Sequence, residues 1–289
     1  MKRILSILLL ITLAFSLSGC RYVVKITGHP EEEKVFERSE SLVKSRPLFN
    51  RGSCRQLKGN VEVHLFFIDD ADSSWNASAM DRYEREQLTP AFRFLEEEAK
   101  RWGTDLAFSV QRHSVLNGEE LYFDGSYPCD LLEEDSMPQL LDVAVNDQHY
   151  ISAKSMLQAY SLQGGADSVL CITALNKAGR CFVDLHQPDA TGYVPEYVTL
   201  YSLPYGEDEP RETGAQSSRI AFHILRVYGA ENMYVEHKRE IIAKELYPND
   251  VMYLRSGDYR EMAVGPFTAY CVGWTDATPD VCYMPAWWE

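Results

Sequence analysis

The sequence predicts an α+β fold, because strand-like and helix-like segments alternate along the chain and an even number of cysteines can staple them. Residues 61–68 (VEVHLFFI) alternate in polarity and then become wholly apolar, which is typical of a strand that enters a covered sheet. A helical period follows over 78–99, and a second strand is predicted over 105–110. Helices therefore cover a sheet in the expected architecture.

The second half of the chain continues this mixture. Residues 168–175 and 181–185 are rich in β-forming residues, and 197–201 form a further predicted strand. Residues 219–228 are apolar almost all round, which predicts a buried helix. Ser217 and Ser218 are expected to cap that helix, and Gly229 to end it.

The amino terminus has the parts of a bacterial lipoprotein signal. Lys2 and Arg3 are followed by apolar residues 4–17 and by LSGC at 17–20, which matches the lipobox. The apolar run is too short to span a bilayer, which takes about 20 residues. We expect cleavage of 1–19 and lipidation of Cys20, with an ordinary secretory signal and a chance cysteine as the alternative. The protein would then lie in the cell envelope, at the outer membrane by resemblance to enterobacterial sorting.

Charge and length limit the remaining possibilities. The formal net charge is -15, and the loss of Lys2 and Arg3 with the signal would make the chain more acidic. Such acidity repels nucleic acid, so nucleic-acid binding is not expected. We predict a lipidated tether over 20–59 and one domain over 60–289.

Six cysteines remain once Cys20 is assigned to lipid, and an even number outside the cytoplasm favours three disulfides. Cys171 and Cys181 flank a turn-like segment, so a hairpin would bring their sulfur atoms together. Turn-forming residues at 275–280 separate Cys271 from Cys282. The expected pairs are Cys171 with Cys181, Cys271 with Cys282, and, by elimination, Cys54 with Cys129.

Residues 222–232 (FHILRVYGAEN) resemble the active-site helix of metzincin-like metallopeptidases, whose pattern is HExxHxxGxx(H/D) followed by a methionine turn. Gly229 stands at the glycine position, and residues 248–252 (PNDVM) resemble the methionine turn, with Met252 as its methionine. Residues 67–75 and 266–274 also resemble segments of exported zincin-type peptidases. The resemblance implies a zincin-like domain in which a twisted mixed sheet packs against a long amino-terminal helix and a buried central helix.

The residues that would perform the chemistry depart from this pattern. Phe222, His223, Arg226 and Asn232 stand at the positions of the first histidine, the glutamate, the second histidine and the third ligand. A phenyl ring has no lone pair to donate and a guanidinium stays charged, so neither can ligate zinc. We therefore expect no zinc, no other cofactor and no peptidase activity.

The resemblance thus implies a catalytically inactive metallopeptidase-like domain, retained as a binding or assembly module for a peptide, glycan or protein in the old substrate groove. One alternative is an active zinc-dependent peptidase whose rebuilt site uses His223, His237, His186 and nearby carboxylates. Another is a structural lipoprotein whose likeness to zincins is misleading.

Aromatic residues suggest a second possible binding feature. Tyr193, Tyr197, Tyr201 and Tyr205 recur every four residues, and the chain ends in Trp287 and Trp288. If these rings are exposed they predict a glycan- or protein-binding surface, and the alternative is that they pack in the core.

Overall fold

The computed structural model describes residues 35–39, 54–130, 141, 155–156, 158–160, 164–185, 196–205, 213–234, 236–255 and 257–289. Within them the fold is α+β, as predicted, with one mixed five-stranded sheet and several helices. Residues 1–20, which contain the expected signal and Cys20, lie outside the described part of the chain.

Five strands form the sheet in the described residues. They are β1 (Gly59–Ile68), β2 (Leu106–Ser114), β3 (Ser168–Ala178), β4 (Phe182–Leu185) and β5 (Glu196–Leu203). Their order is β2-β1-β3-β5-β4. Neighbouring strands are parallel except at one edge, where β4 runs antiparallel to β5.

The described helices lie between and after these strands. They are α1 (Ala77–Tyr83), α2 (Thr89–Arg101), α3 (Thr213–Val227), α4 (His237–Leu246), α5 (Val251–Leu254), α6 (Pro266–Cys271) and α7 (Pro285–Trp288). A π-helical turn, Glu84–Leu88, joins α1 to α2, and short 3₁₀ turns occupy Val115–Asn117 and Asp280–Tyr283.

The predicted amino-terminal helix is continuous. Its cap is Asn76, whose Oδ1 accepts a hydrogen bond of 2.9 Å from the Ala79 amide. Thr89, which precedes Pro90, has helical angles of φ -57° and ψ -43°, so it lies inside the helix and is not a cap. Pro90 lacks the amide hydrogen that a regular turn would use, and the π-helical turn just before it accommodates this loss.

The sheet buries residues on both faces. Alternate residues of β1, including Val61, Val63 and Leu65, belong to the larger apolar cluster, to which α2 and α3 also contribute. Phe66 and Ile68 point to the opposite face and to a smaller cluster. The alternation of side chains along a strand explains this division.

The predicted hairpin between Cys171 and Cys181 is wrong. Strand β5 lies between β3 and β4, so the two cysteines are not on adjacent strands. Cys171 is the register partner of Tyr197, whereas the Cys181 sulfur accepts a hydrogen bond from the Tyr201 amide, four residues further along β5. Strands are spaced by about 4.8 Å, so two spacings and this offset exceed the reach of a disulfide.

Among the described residues, the other four cysteines of the predicted pairs form no disulfide either. Cys54 lies in the larger cluster and donates to the Val169 carbonyl at 3.3 Å, whereas Cys129 packs against the smaller cluster. The sheet separates these two clusters, so the pairing of Cys54 with Cys129 by elimination is also wrong. The pairing of Cys271 with Cys282, which are both buried near the carboxyl terminus, stays a prediction.

Two short stretches of the expected tether pack against the end of the chain. The Ser39 amide donates to the Tyr283 carbonyl at 2.8 Å, and the Leu57 amide donates to the Val272 carbonyl at 3.0 Å. The Leu57 carbonyl in turn accepts from the Trp274 indole at 2.5 Å. These contacts join the segment that precedes β1 to the closing segment.

We predict that Trp287→Ala lowers the free energy of unfolding by about 3–5 kcal/mol, the usual cost of truncating a buried tryptophan. Trp287 is fully buried, and its ring meets the edges of Phe267 and Tyr247 at centroid distances of 4.8 and 6.1 Å. The matched control is Trp288→Ala, since Trp288 is only partly buried. Urea unfolding measures both, and equal losses would contradict a core role for Trp287.

Candidate functional site at the end of helix α3

Helix α3 carries the metzincin-like pattern and ends as the sequence predicts. Gly229 has φ of 98°, a left-handed conformation that glycine adopts without strain. The Gly229 amide donates to the Arg226 carbonyl at 3.0 Å, and the Ala230 amide donates to the Leu225 carbonyl at 2.9 Å. These two bonds form a Schellman motif, which turns the chain away from the helix axis.

The start of α3 differs from the prediction. The helix already begins at Thr213, so Ser217 and Ser218 lie inside it and cannot be its amino-terminal cap. Both serines are buried, and the Ser218 hydroxyl donates to the Gly257 carbonyl at 3.1 Å. Ser218 therefore connects α3 to the segment that contains Gly257.

The chain after Gly229 returns to the predicted methionine turn. The Met233 amide donates to the Met252 carbonyl at 3.3 Å, which places the third-ligand position, Asn232, beside the turn. Met252 is fully buried in the same apolar cluster as α3. The structure thus brings together α3, the segment after Gly229 and the predicted methionine turn.

Asp250 holds this turn in place. Its carboxylate accepts hydrogen bonds of 2.7 Å from the amides of Met252 and Gly265, and one from the Thr268 hydroxyl at 2.9 Å. Burial raises the pKa of Asp250 from 3.8 to about 6, although these hydrogen bonds oppose the shift. No local sequence pattern indicated this role of Asp250.

Apolar and cationic groups occupy the first and second ligand positions. Phe222 is buried, and its ring centroid lies 6.3 Å from that of Tyr234. The Arg255 guanidinium lies 4.1 Å above the Tyr234 ring. Arg226, one helical turn after Phe222, is only partly buried. Phe222, Tyr234 and Arg255 therefore pack together through aromatic and cation–π contacts.

His223 stands at the position of the catalytic glutamate and is held neutral. Burial, followed by the charges of Arg226 and Arg219, lowers its pKa to about 3. Its Nδ1 is buried and accepts no hydrogen bond from the described residues. A histidine with so low a proton affinity is a poor general base at neutral pH.

The donors around α3 do not fit a zinc ion. His223 and Asn232 each have one buried acceptor without a partner in the described structure, His223 Nδ1 and Asn232 Oδ1. Catalytic zinc takes three protein ligands, and the positive charge of Arg226 would oppose a dication. No group of three or more metal-ligating His, Cys, Asp or Glu side chains occurs among the described residues.

The remaining predicted site residues lie elsewhere. His237 is exposed at the start of α4, whereas His186 and Tyr193 lie outside the described residues. Tyr197 and Tyr201 are almost fully buried, so an exposed aromatic surface is wrong for these two rings and the core alternative is confirmed. Tyr205 is partly buried, with the Arg180 guanidinium 5.2 Å from its centroid.

Two further features were not found from the sequence. A cavity of about 400 Å³, lined by Arg101, Trp102, Tyr247 and Val264 among others, includes Asp250. The other is a hydrogen bond of 2.9 Å between the His64 and His113 rings. His64 carried no signal because its partner comes from β2, and a sequence does not reveal which strands pair.

Comparisons with known proteins give no assignment, since no protein-family model, curated protein or solved structure matches the chain. In the part of the chain that the structure describes, no helix is both long and apolar enough to cross a membrane.

We predict that Asp250→Asn removes a pH-dependent contribution to stability. The folded-state pKa of Asp250 lies above 3.8, so its contribution is complete below that pH and is lost as the pH rises through about 6. The loss is on the order of 3 kcal/mol at 1.36 kcal/mol per pKa unit. Urea unfolding from pH 4 to pH 7 should therefore show that the stability difference between the two proteins changes with pH.

The matched control is Asp105→Asn, which removes an exposed carboxylate. It should leave the pH dependence close to that of the unchanged protein. A stability difference between Asp250→Asn and the unchanged protein that stays constant over this pH range would contradict the assigned role of burial.

Proposed function

We propose that the chain is a lipid-anchored protein of the cell envelope whose metzincin-like domain has lost zinc chemistry. The domain acts as a binding or assembly module. One observation carries the proposal: the hydrogen bond between Met233 and Met252 brings the third-ligand position to the methionine turn, while Phe222 and Arg226 replace the zinc ligands.

The frame of the domain supports the metzincin-like part of the proposal. The resemblance implies a mixed sheet, a long amino-terminal helix and a buried central helix, and the described fold contains all three. The glycine position adopts the left-handed conformation that a sharp turn after the helix requires. Met252, in the predicted methionine turn, is fully buried.

The chemistry of the site supports a loss of catalysis. A metallopeptidase needs a Lewis-acidic metal and a carboxylate that accepts a proton from the metal-bound water. Phe222 has no lone pair, Arg226 adds positive charge, and His223 has a pKa of about 3. The arrangement therefore favours retention of the frame for binding.

The resemblance implies a substrate groove, and the proposed ligand that it would hold is a peptide, glycan or partner protein. The apolar packing that fixes α3 does not depend on a metal, since its side chains lie in the larger cluster. A rigid frame can keep a groove in shape after the chemistry is lost, and function depends on the site and not on the fold alone.

We predict that Cys20→Ala leaves the protein uncleaved or released from the membrane fraction, because lipid on Cys20 is the proposed anchor. The matched control is Cys129→Ala, which removes a cysteine elsewhere and should stay in the membrane fraction. Labelled fatty acid and cell fractionation measure the two outcomes. Mature Cys20→Ala protein that stays in the membrane fraction would contradict the anchor.

We predict that the purified protein binds no stoichiometric zinc and cleaves no peptide above background. A variant with Phe222→His, His223→Glu, Arg226→His and Asn232→Asp should bind zinc, because the proposed metzincin-like frame would place these positions around one metal site. The control carries the other three changes but keeps Arg226, and it should bind zinc much more weakly. Metal analysis by mass spectrometry measures all three proteins.

Two results would count against these assignments. Stoichiometric zinc in the unchanged protein, lost together with an activity in His223→Ala, would overturn the inactive site. A folded four-residue variant that binds no zinc would count against the metzincin-like frame itself.

A further inference from the structure

A second polar cluster lies on the face of the sheet opposite α3, between β1 and β2. In the parallel register His64 pairs with Gln111, and Phe66 pairs with His113. His64 Nδ1 lies 2.9 Å from His113 Nε2, and His113 Nδ1 lies 2.8 Å from a Glu119 carboxylate oxygen. Three titratable side chains are therefore joined in a row.

The contact between the two imidazoles is a hydrogen bond in the plane of the rings. The planes differ by only 22°, and the centroids are 5.2 Å apart although the nearest nitrogen atoms are 2.9 Å apart. The distance between the centroids exceeds the distance between the nitrogen atoms by two ring radii, as expected when the two nitrogen atoms point at each other. A proton therefore lies between them, and the rings are not stacked face to face.

Carboxylates face the outer nitrogen of each ring. Glu119 is fixed because its second oxygen accepts from the Ser114 amide at 2.7 Å. At the other end, Glu62 lies 3.4 Å from His64 Nε2 and accepts from the Gln111 amide group at 2.7 Å. Gly164 leaves room for Glu62, since a Cβ there would lie 2.7 Å from its other oxygen.

A count of protons shows that one is missing from this row. The row has three gaps, between Glu119 and His113, between the two histidines, and between His64 and Glu62. Two neutral imidazoles carry only two ring protons, so one gap holds two acceptors that repel each other. The gap of 3.4 Å at Glu62 is the longest, and His64 Nε2 makes no hydrogen bond with the described residues.

The positive charge of an added proton belongs on His113. His64 is 3% exposed and lies 3.8 Å from the parallel ring of Tyr160. Burial, followed by the charge of His113, lowers the pKa of His64 to about 4. His113 is less buried and has the Glu119 carboxylate beside it.

No other described charge competes for that proton. Cys171, the register partner of His64 on β3, stays neutral because burial raises the pKa of its thiol. The guanidinium of Arg112, the residue next to His113, forms ion pairs with Asp81 and Glu84. Gln111 and Tyr160 complete the surroundings and carry no charge at neutral pH.

We propose that His64 and His113 form a proton relay. When one proton is added from solvent at His64 Nε2, it forms the missing hydrogen bond to Glu62, and the proton between the rings moves from His64 Nδ1 to His113 Nε2. His64 is neutral before and after this step, and the positive charge lies on His113 beside Glu119. One added proton thus completes a chain of side-chain hydrogen bonds that ties edge strand β2 to β1.

The test is ¹⁵N NMR of the histidine rings in the purified protein between about pH 8 and pH 5, the range in which histidine usually titrates. His64→Asn and His113→Asn variants assign the signals. We expect His64 to change from the Nδ1–H to the Nε2–H tautomer as His113 becomes doubly protonated. His113→Asn should leave His64 in one tautomer at every pH.

Glu119→Gln tests the source of the proton affinity. It removes the charge beside His113 but keeps an oxygen for the Ser114 amide, so the midpoint of the tautomer change should fall by about one pH unit. The matched control is Glu120→Gln, an equal charge change at the exposed neighbouring residue, which should leave the midpoint in place. Thermal unfolding checks that each variant is folded.

Three results would overturn the relay. His64 could become doubly protonated in this range, it could keep one tautomer while His113 takes up a proton, or neither ring could change. None of these results depends on the metzincin-like frame or on the lipid anchor, so the relay can fail while the proposed function stands.

Discussion

The fold depends on the burial of both faces of β1 and β3. These two strands lie in the interior of the sheet, so each must place apolar side chains on both sides. On one face the cover is α2 and α3, and on the other it is the smaller cluster around Phe66. A polar side chain on these strands must find a hydrogen-bond partner within the sheet or lose the solvation it had in water.

The same constraint explains the two polar features of the protein. His64 is an interior residue of β1, and its Nδ1 has a hydrogen-bond partner because the parallel register brings His113 within reach. Asp250 is buried among loops, and amides from two segments surround its carboxylate. In both cases a group that would be costly to bury alone is stabilised by partners distant in the sequence.

How much the sequence could predict depended on the range of the interactions involved. The strand at 61–68, the buried helix and its end at Gly229 follow from local periodicity and from the conformation that glycine allows. The pairing of strands is not local. Nothing near Cys171 reveals that β5 will lie between β3 and β4, so the expected disulfide with Cys181 was wrong.

The site on α3 was predicted in the same partial way. Its positions were taken from the resemblance to the metzincin pattern, and their role as a site stays a prediction. The role of Asp250 was missed because its partners, Gly265 and Thr268, come from a later segment. The hydrogen bond between His64 and His113 was missed for the same reason.

Electrostatics then bear on whether the packing around α3 depends on a metal. In a zinc site, a dication balances the buried ligands and any carboxylate near them. In the proposed correspondence, the position of that carboxylate belongs to His223, which burial and two nearby arginines keep neutral. The nearby buried acid, Asp250, is stabilised by amides instead of by a cation. The packing of α3 therefore needs no dication, and Arg226 would oppose one.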